Sequence, residues 1–343
     1  MNYLIFRTDR IGDYLITSSL INAIKRNDTN SRISIVASEK NYEFIKRYSY
    51  IDKIFLLKSK KISHRIELLK ELKKNKFDNI IISDKKNRSI FFSFFIKSDN
   101  KIFNVSKEYQ ERLLKIFFKN VFLDNDNQKS KSIRKNLSEN CQSLGFEIKD
   151  EDFHYLKINQ FKKEFVHSEQ INLDKLDFIQ FHCDEKWEIE NYVKLFKKAS
   201  NLTDIKISHK SLINFLIILS KKTSKEIIIT TGAVDTKIIS QLRKSFSKIG
   251  DFLYEYSDKD SKIYLLTDQS FFSISHIISK SSLFICCHGA FTHIASNYNI
   301  KILDIIEKEK ETHYAKITKH MKNYKYIYRE TFENLSANII NNS

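Results

Sequence analysis

Proline is absent from this sequence of 343 residues, and glycine, methionine and tryptophan number only five, two and one. So few glycines leave no glycine-rich phosphate loop. Neither G-x-G-x-x-G nor G-x-x-x-x-G-K-[ST] occurs, which excludes the dinucleotide fingerprint and the P-loop. The four cysteines, Cys141, Cys183, Cys286 and Cys287, form no C-x-x-C pair. That argues against a structural zinc site and leaves reduced thiols in a cytosolic protein as the simplest reading. The longest apolar runs, at 90–96 and 215–219, fall far short of the ~20 residues a membrane-spanning helix needs. The first expected strand begins at residue 3, so no signal peptide is expected before it.

What is present is core material. Hydrophobic residues make up 41% of the chain, with 27 phenylalanines and 16 tyrosines, which is the composition of a folded protein of about two domains. Fifty-nine lysines and arginines against 42 acids give a net charge of +17. A charge of that size admits an acidic partner. The abundance of Lys, Asn, Ile and Phe beside scarce Gly and Pro also reads as AT-rich coding, which raises lysine everywhere. The basic residues are scattered in clusters such as Lys58-Ser-Lys-Lys61 and Lys73-Lys-Asn-Lys76. No nucleic-acid module is recognisable, so no nucleic-acid partner is expected.

Short β-branched runs alternate with amphipathic stretches, the pattern of parallel α/β units. Strands are expected at 3–7, 33–37, 53–57 and 79–83, with helices at 14–26, 41–48, 64–74 and 132–144, the last capped by Gly145. The pattern restarts with strands at 178–182, 226–230, 283–286 and 301–306 and helices at 190–198, 212–223, 236–244 and 273–279. The domains expected are an N-terminal one over 1–160, a linker over 161–176, a second over 177–328, and a C-terminal helix over 329–343 packing back on the first. Two doubly wound halves imply a cleft between them, with ligands outside the carboxyl ends of the strands.

Three glycines, Gly12, Gly232 and Gly289, fall just after expected strands, where a missing Cβ lets backbone approach a ligand. Asp13 stands at a helix start, where it is either a cap or a general base facing the cleft. Asp9 and Arg10 beside it can form a surface ion pair. In the second half, Lys186 follows a strand and is either a solvated lysine or the cation that neutralises a departing diphosphate. Trp187 reads as core packing rather than a stacking platform. Thr231-Gly232-Ala233 forms a small-residue turn, and Asp235 after it caps a helix or accepts from ribose hydroxyls. His288-Gly289-Ala290 follows the strand at 283–286, with His293 one turn on. Two histidines five apart without a third ligand do not make a metal site, so no metal and no cofactor are expected.

With these motifs in order, the chain resembles glycosyltransferase family 9, the ADP-heptose:lipopolysaccharide heptosyltransferases. The resemblance rests first on Phe6-Arg-Thr-Asp-Arg-Ile-Gly-Asp13 and on 275–295, which frames His293, and is supported by Lys186-Trp187 and Thr231-Gly232-Ala233. It implies an α/β GT-B fold, two Rossmann-like doubly wound domains facing a central cleft. It also implies an inverting, metal-independent glycosyltransferase with Asp13 as base and Asp9, Arg10 and Gly12 on the acceptor side. Lys186, Thr231, Gly232, Asp235, His288, Gly289, Ala290 and His293 would bind the donor. The implied partners are a nucleotide-sugar, with ADP-heptose first, a lipid-linked or lipopolysaccharide-core acceptor, and an anionic inner-membrane face on which a cytoplasmic enzyme would sit peripherally. His288 stands where the family has an aspartate that holds donor-sugar hydroxyls. That departure leaves room for a different donor or for an inactive, non-catalytic member of the fold.

Overall fold

The computed structural model describes residues 1–58, 61–124, 132–153, 171–196 and 202–343. Residues 161–170 of the expected linker lie outside the described residues. The chain forms two compact units, Met1–Lys162 with Ala315–His320, and Lys163–Tyr314 with Met321–Ser343.

The first unit opens with β1 (Asn2–Phe6), α1 (Ile11–Asn27), β2 (Arg32–Ser38), α2 (Tyr42–Ile45), β3 (Lys53–Leu57) and α3 (Ile62–Lys73). It continues with β4 (Asn79–Ile82), α4 (Asn87–Phe94), β5 (Asn100–Val105), α5 (Glu108–Lys115), β6 (Asn120–Leu123) and α6 (Ile133–Gln142). Its six strands, all parallel, run in the order β3-β2-β1-β4-β5-β6. Helices cover both faces, so the central strands are apolar throughout: Tyr3 to Phe6 and Ile80 to Ile82 are all buried. Phe6, Phe55, Phe77, Phe92 and Phe103 pack one face into a single core.

The second unit begins with β7 (Phe178–Cys183), α7 (Ile189–Phe196), α8 (His209–Thr223), β8 (Glu226–Thr231), α9 (Lys237–Ser245), β9 (Ser247–Lys248), β10 (Leu253–Asp258) and β11 (Ser261–Leu266). After these come α10 (Phe271–Lys280), β12 (Leu283–Cys287), α11 (Ala290–Ala295), β13 (Lys301–Ile306), α12 (Glu311–Thr318), β14 (Tyr324–Tyr328) and α13 (Phe332–Asn342). The strand order is β14-β13-β12-β7-β8-β11-β10-β9. From β14 to β11 the sheet is parallel and repeats the winding of the first unit; β10 and β9 extend it antiparallel.

Each sheet therefore reverses its winding once, between β1 and β4 in the first unit and between β7 and β12 in the second. Such switch points open a crevice at the strands' carboxyl ends.

The final helix differs from expectation. Phe332, Leu335 and Ile339 of α13 are buried in the main core of the second unit, alongside Leu212, Phe215 and Leu216 of α8. Its apolar stripe is thus satisfied there. The segment grouped with the first unit is Ala315–His320, which includes the end of α12.

Candidate active site

In the first unit a cavity of about 650 Å³ opens at the β1/β4 switch point, lined by residues following β1, β2, β4 and β5. Six cations line it, Arg10, Lys40, Lys85, Lys86, Arg88 and Lys107, against the acids Asp9 and Asp13. Its floor is a polar network. The buried Asp84 carboxylate, just past β4, accepts from the Thr8 hydroxyl at 2.6 Å and the Ser89 hydroxyl at 2.7 Å, and Arg88 donates to Thr8 at 2.8 Å. Burial raises the Asp84 pKa, opposed by the hydrogen bonds from Thr8 and Ser89. Lys85 makes the bend out of β4 with a left-handed backbone, φ 54°, an uncommon conformation for a residue with a Cβ.

Asp13 is exposed on this cavity's wall. Helix α1 starts at Ile11, which puts Gly12 inside its first turn rather than in a turn before it, and Asp13 one residue further in. The Asp13 carboxylate accepts from the Arg10 N–H at 3.3 Å, so it returns to the helix start as a capping acid does. Asp9 is held by Arg7 at 3.2 Å and Lys86 at 2.9 Å. Asp84 escaped the sequence reading, because it follows its strand without the adjacent glycine that marked the Asp9–Asp13 turn.

In the second unit three turns converge, those after β7, β8 and β12, which are adjacent strands. The Lys186 ammonium donates to the Cys287 carbonyl at 3.0 Å and the His288 carbonyl at 2.8 Å, and lies 2.7 Å from the Asp184 carboxylate. Burial is the largest single influence and opposes its charge, but Asp184 together with Cys287 and Cys286 more than offsets it and raises the Lys186 pKa well above the usual lysine range. All three ammonium protons are engaged within the protein. The diphosphate role expected for Lys186 would require exchange of at least one of these bonds.

The two glycines have a related purpose. A Cβ on Gly289 would lie 2.8 Å from the Lys186 amine, and one on Gly232 would lie 3.0 Å from Asp184 Cβ and 3.2 Å from its Cα. Both admit the Asp184-Glu185-Lys186 turn between the strand ends, where the sequence suggested only room for a ligand. Thr231 ends β8 and is buried, and Trp187 is fully buried with its indole N–H donating to the His182 carbonyl at 2.9 Å.

His288 is built into a network. Its Nδ1 lies 2.6 Å from the buried Asp304 of β13, which also accepts from the Thr292 hydroxyl at 3.1 Å and the Tyr324 hydroxyl at 2.9 Å. An acceptor-only carboxylate at that distance fixes the Nδ1–H tautomer, and Nε2 has no partner among the described residues. Its ring lies 4.3 Å from Tyr314 and 5.6 Å from the buried His293. Ala290 opens the six-residue α11. Asp235 stands apart: it is exposed and paired with Arg243, and the cap of α9 is Thr236, whose side chain accepts from Ile239. All four cysteines are buried and unbridged. Among the described residues, no group of three metal-ligating side chains is placed to hold an ion.

No family model and no curated protein matches the chain. Solved structures do match. A glycosyltransferase family 9 protein from Veillonella parvula is similar over 98% of this chain and 90% of its own, at 13% identity and a TM-score of 0.65. The E. coli heptosyltransferase WaaC, solved with ADP-2-deoxy-2-fluoro heptose, matches over 100% of both chains at 12% identity and a TM-score of 0.64. A UDP-GlcNAc 2-epimerase from Neisseria meningitidis, solved with UDP-GlcNAc, matches over 100% of this chain and 90% of its own, at 14% identity and a TM-score of 0.53. The chain has the GT-B fold that these glycosyltransferases and epimerases share, the fold its sequence motifs led us to expect.

Proposed function

We propose that this chain is a glycosyltransferase that moves a heptose or related sugar from a nucleotide-diphosphate donor, ADP-linked in the first instance, to a lipopolysaccharide-core or other lipid-linked glycan acceptor. The observation that carries this reading is Asp13, an exposed carboxylate on the wall of a cationic cavity at the β1/β4 switch point. In the reaction, the acceptor hydroxyl binds in the first unit's cavity and gives its proton to Asp13. Its oxygen forms a bond to the anomeric carbon as the bond to the diphosphate breaks, which inverts the configuration and needs no metal. The leaving nucleotide takes the electron pair. The cavity's cations suit an acceptor that carries acid groups, as a glycan presented at an anionic cytoplasmic membrane face would.

Donor binding falls to the second unit, with His288, Gly289, Ala290 and His293 around the donor. A donor other than ADP-heptose is the second reading. The Asp304 contact favours it over a lost function, because His288 is held in one tautomer by a buried carboxylate rather than left loose. The test is transfer by wild type and Asp13→Ala with a panel of ADP- and UDP-sugars, alongside calorimetric nucleotide titration. Asp13→Ala should lower turnover by about 10²-fold or more while leaving nucleotide affinity within twofold. Retained turnover rules out Asp13 as the base, and no nucleotide binding by the wild type overturns the whole reading.

A further inference from the structure

Large apolar side chains are unevenly distributed over the surface. Of the fifteen that are exposed among the described residues, seven lie on or just after two consecutive helices: Phe91, Phe94 and Phe95 with α4, and Tyr109, Leu113, Ile116 and Phe117 with α5. They fall at i, i+3, i+4 on the first and i, i+4, i+7, i+8 on the second. Each set therefore runs along one side of its helix, flanking the buried Ile90 and Leu114. Ile116 and Phe117 are the most exposed of the seven, at 72% and 70%. The Phe94 ring lies 5.6 Å from Phe118, the residue after Phe117, so the first set reaches the end of the second.

A patch of this kind calls for an occupant. Its charge decides which. Eight lysines and arginines but only three acids lie between Lys86 and Lys119. Two of those acids are taken up within α5, by the Arg112–Glu108 pair at 3.9 Å and the Lys115–Glu111 pair at 2.7 Å. Lys97, Lys107 and Lys119 are exposed around the aromatics. A second copy of this chain would set lysine against lysine. Aromatic stripes bordered by cations match a bilayer whose headgroups are anionic and whose acyl chains begin just below.

We infer that the exposed face of α4 and α5 docks on an anionic lipid surface, with Phe91, Phe94, Ile116 and Phe117 entering the interface. The starts of the same two helices supply Asn87, Arg88, Lys107 and Gln110 to the wall of the first unit's cavity. The cavity's wall and the docking face are thus built on the same two helices, the wall at their starts and the most exposed apolar side chains toward their ends. The inference deepens the proposed function's membrane-side acceptor and rests on it for its purpose, but docking itself needs neither nucleotide nor acceptor.

The test is flotation of the full chain, without nucleotide, on phosphatidylcholine vesicles with and without one third phosphatidylglycerol. The wild type should bind the anionic vesicles, less so in high salt and least to phosphatidylcholine alone. An Ile116→Ser/Phe117→Ser variant should lose tenfold or more in affinity, with an unchanged thermal unfolding curve because both side chains are exposed. A Lys97→Glu/Lys119→Glu variant should lose its preference for the anionic vesicles. Absent binding by the wild type, equal binding by the serine variant, or a wild-type dimer that the serine variant dissociates would each overturn the inference. Loss of transfer with docking intact would count against the proposed function alone.

Discussion

Lys186 shows how a single residue can look like a ligand contact and also hold the protein together. Its ammonium joins the β7 turn to the β12 turn through two carbonyls and offsets the buried Asp184 carboxylate. Removing one partner of such a pair leaves a desolvated charge. Lys186→Met should therefore cost about 3 kcal/mol of stability, read as a lower urea midpoint in the absence of nucleotide. An unchanged midpoint would mean the amine is held in place only for a ligand. The sequence pointed to Lys186 and His288 by position, but not to what holds them. Asp304, the partner of His288, sits sixteen residues on in the middle of an apolar strand, where it reads only as a break in Lys301–Ile306. Burial with its partners already in place made it invisible to pattern reading.

At the scale of turns and elements, two glycines separate local from non-local causes. Gly145 follows α6 with φ +86°, and a Cβ there would meet nothing within 4 Å. The local pattern announced this one, a glycine just past a helical run. Gly145→Ala should cost about 1 kcal/mol, from the left-handed backbone alone. At Gly232 the backbone is unremarkable, and the obstacle is the Asp184 backbone at 3.2 Å, from a turn nearly fifty residues earlier. Gly232→Ala should cost about 1–3 kcal/mol and lower nucleotide affinity too, since the Lys186 turn must shift. Calorimetric unfolding and nucleotide titration of the two variants check both, and a Gly232→Ala protein with unchanged binding would separate that turn from the donor site. The same division explains part of what pattern reading missed. Strands β5, β10 and β14 carry Asn, Lys, Glu or Tyr among their apolar residues, and both β10 and β14 are partly exposed, so they lack the apolar run that marked β1 and β4; β6 and β11 were missed as well, although β11 carries the buried run Ile263-Tyr-Leu-Leu266.

Over the whole molecule, the alternation of apolar runs with amphipathic stretches was enough to expect two doubly wound sheets, because parallel strands buried on both faces must be apolar. The antiparallel β9–β10 extension and the seating of α13 on the second unit depend on which surfaces remain open after the sheet forms, and the sequence carries no local signal for that. The acid response of the chain is shaped at this same scale by one histidine in each unit, His182 buried and His320 half-buried. His182 in the second is driven to a pKa of about 4 by burial, with Asp184 raising and Lys186 lowering it. His320 in the first is lowered to about 4 by burial and by the charge of Arg134. Unfolding exposes both rings to water, where they protonate near pH 6.5. Between about pH 6.5 and 4 the unfolded chain therefore binds more protons than the folded one, so stability falls as pH falls through that window and levels off below it. The loss is at most about 3 kcal/mol for His182 and less for His320, whose ring keeps some solvent contact. His182→Gln can retain the bond its ring makes to the Thr230 hydroxyl at 3.0 Å and cannot titrate. Urea midpoints measured from pH 7 to 4 should drop less steeply for this variant than for the wild type, and parallel curves would show that His182 gains no proton on unfolding.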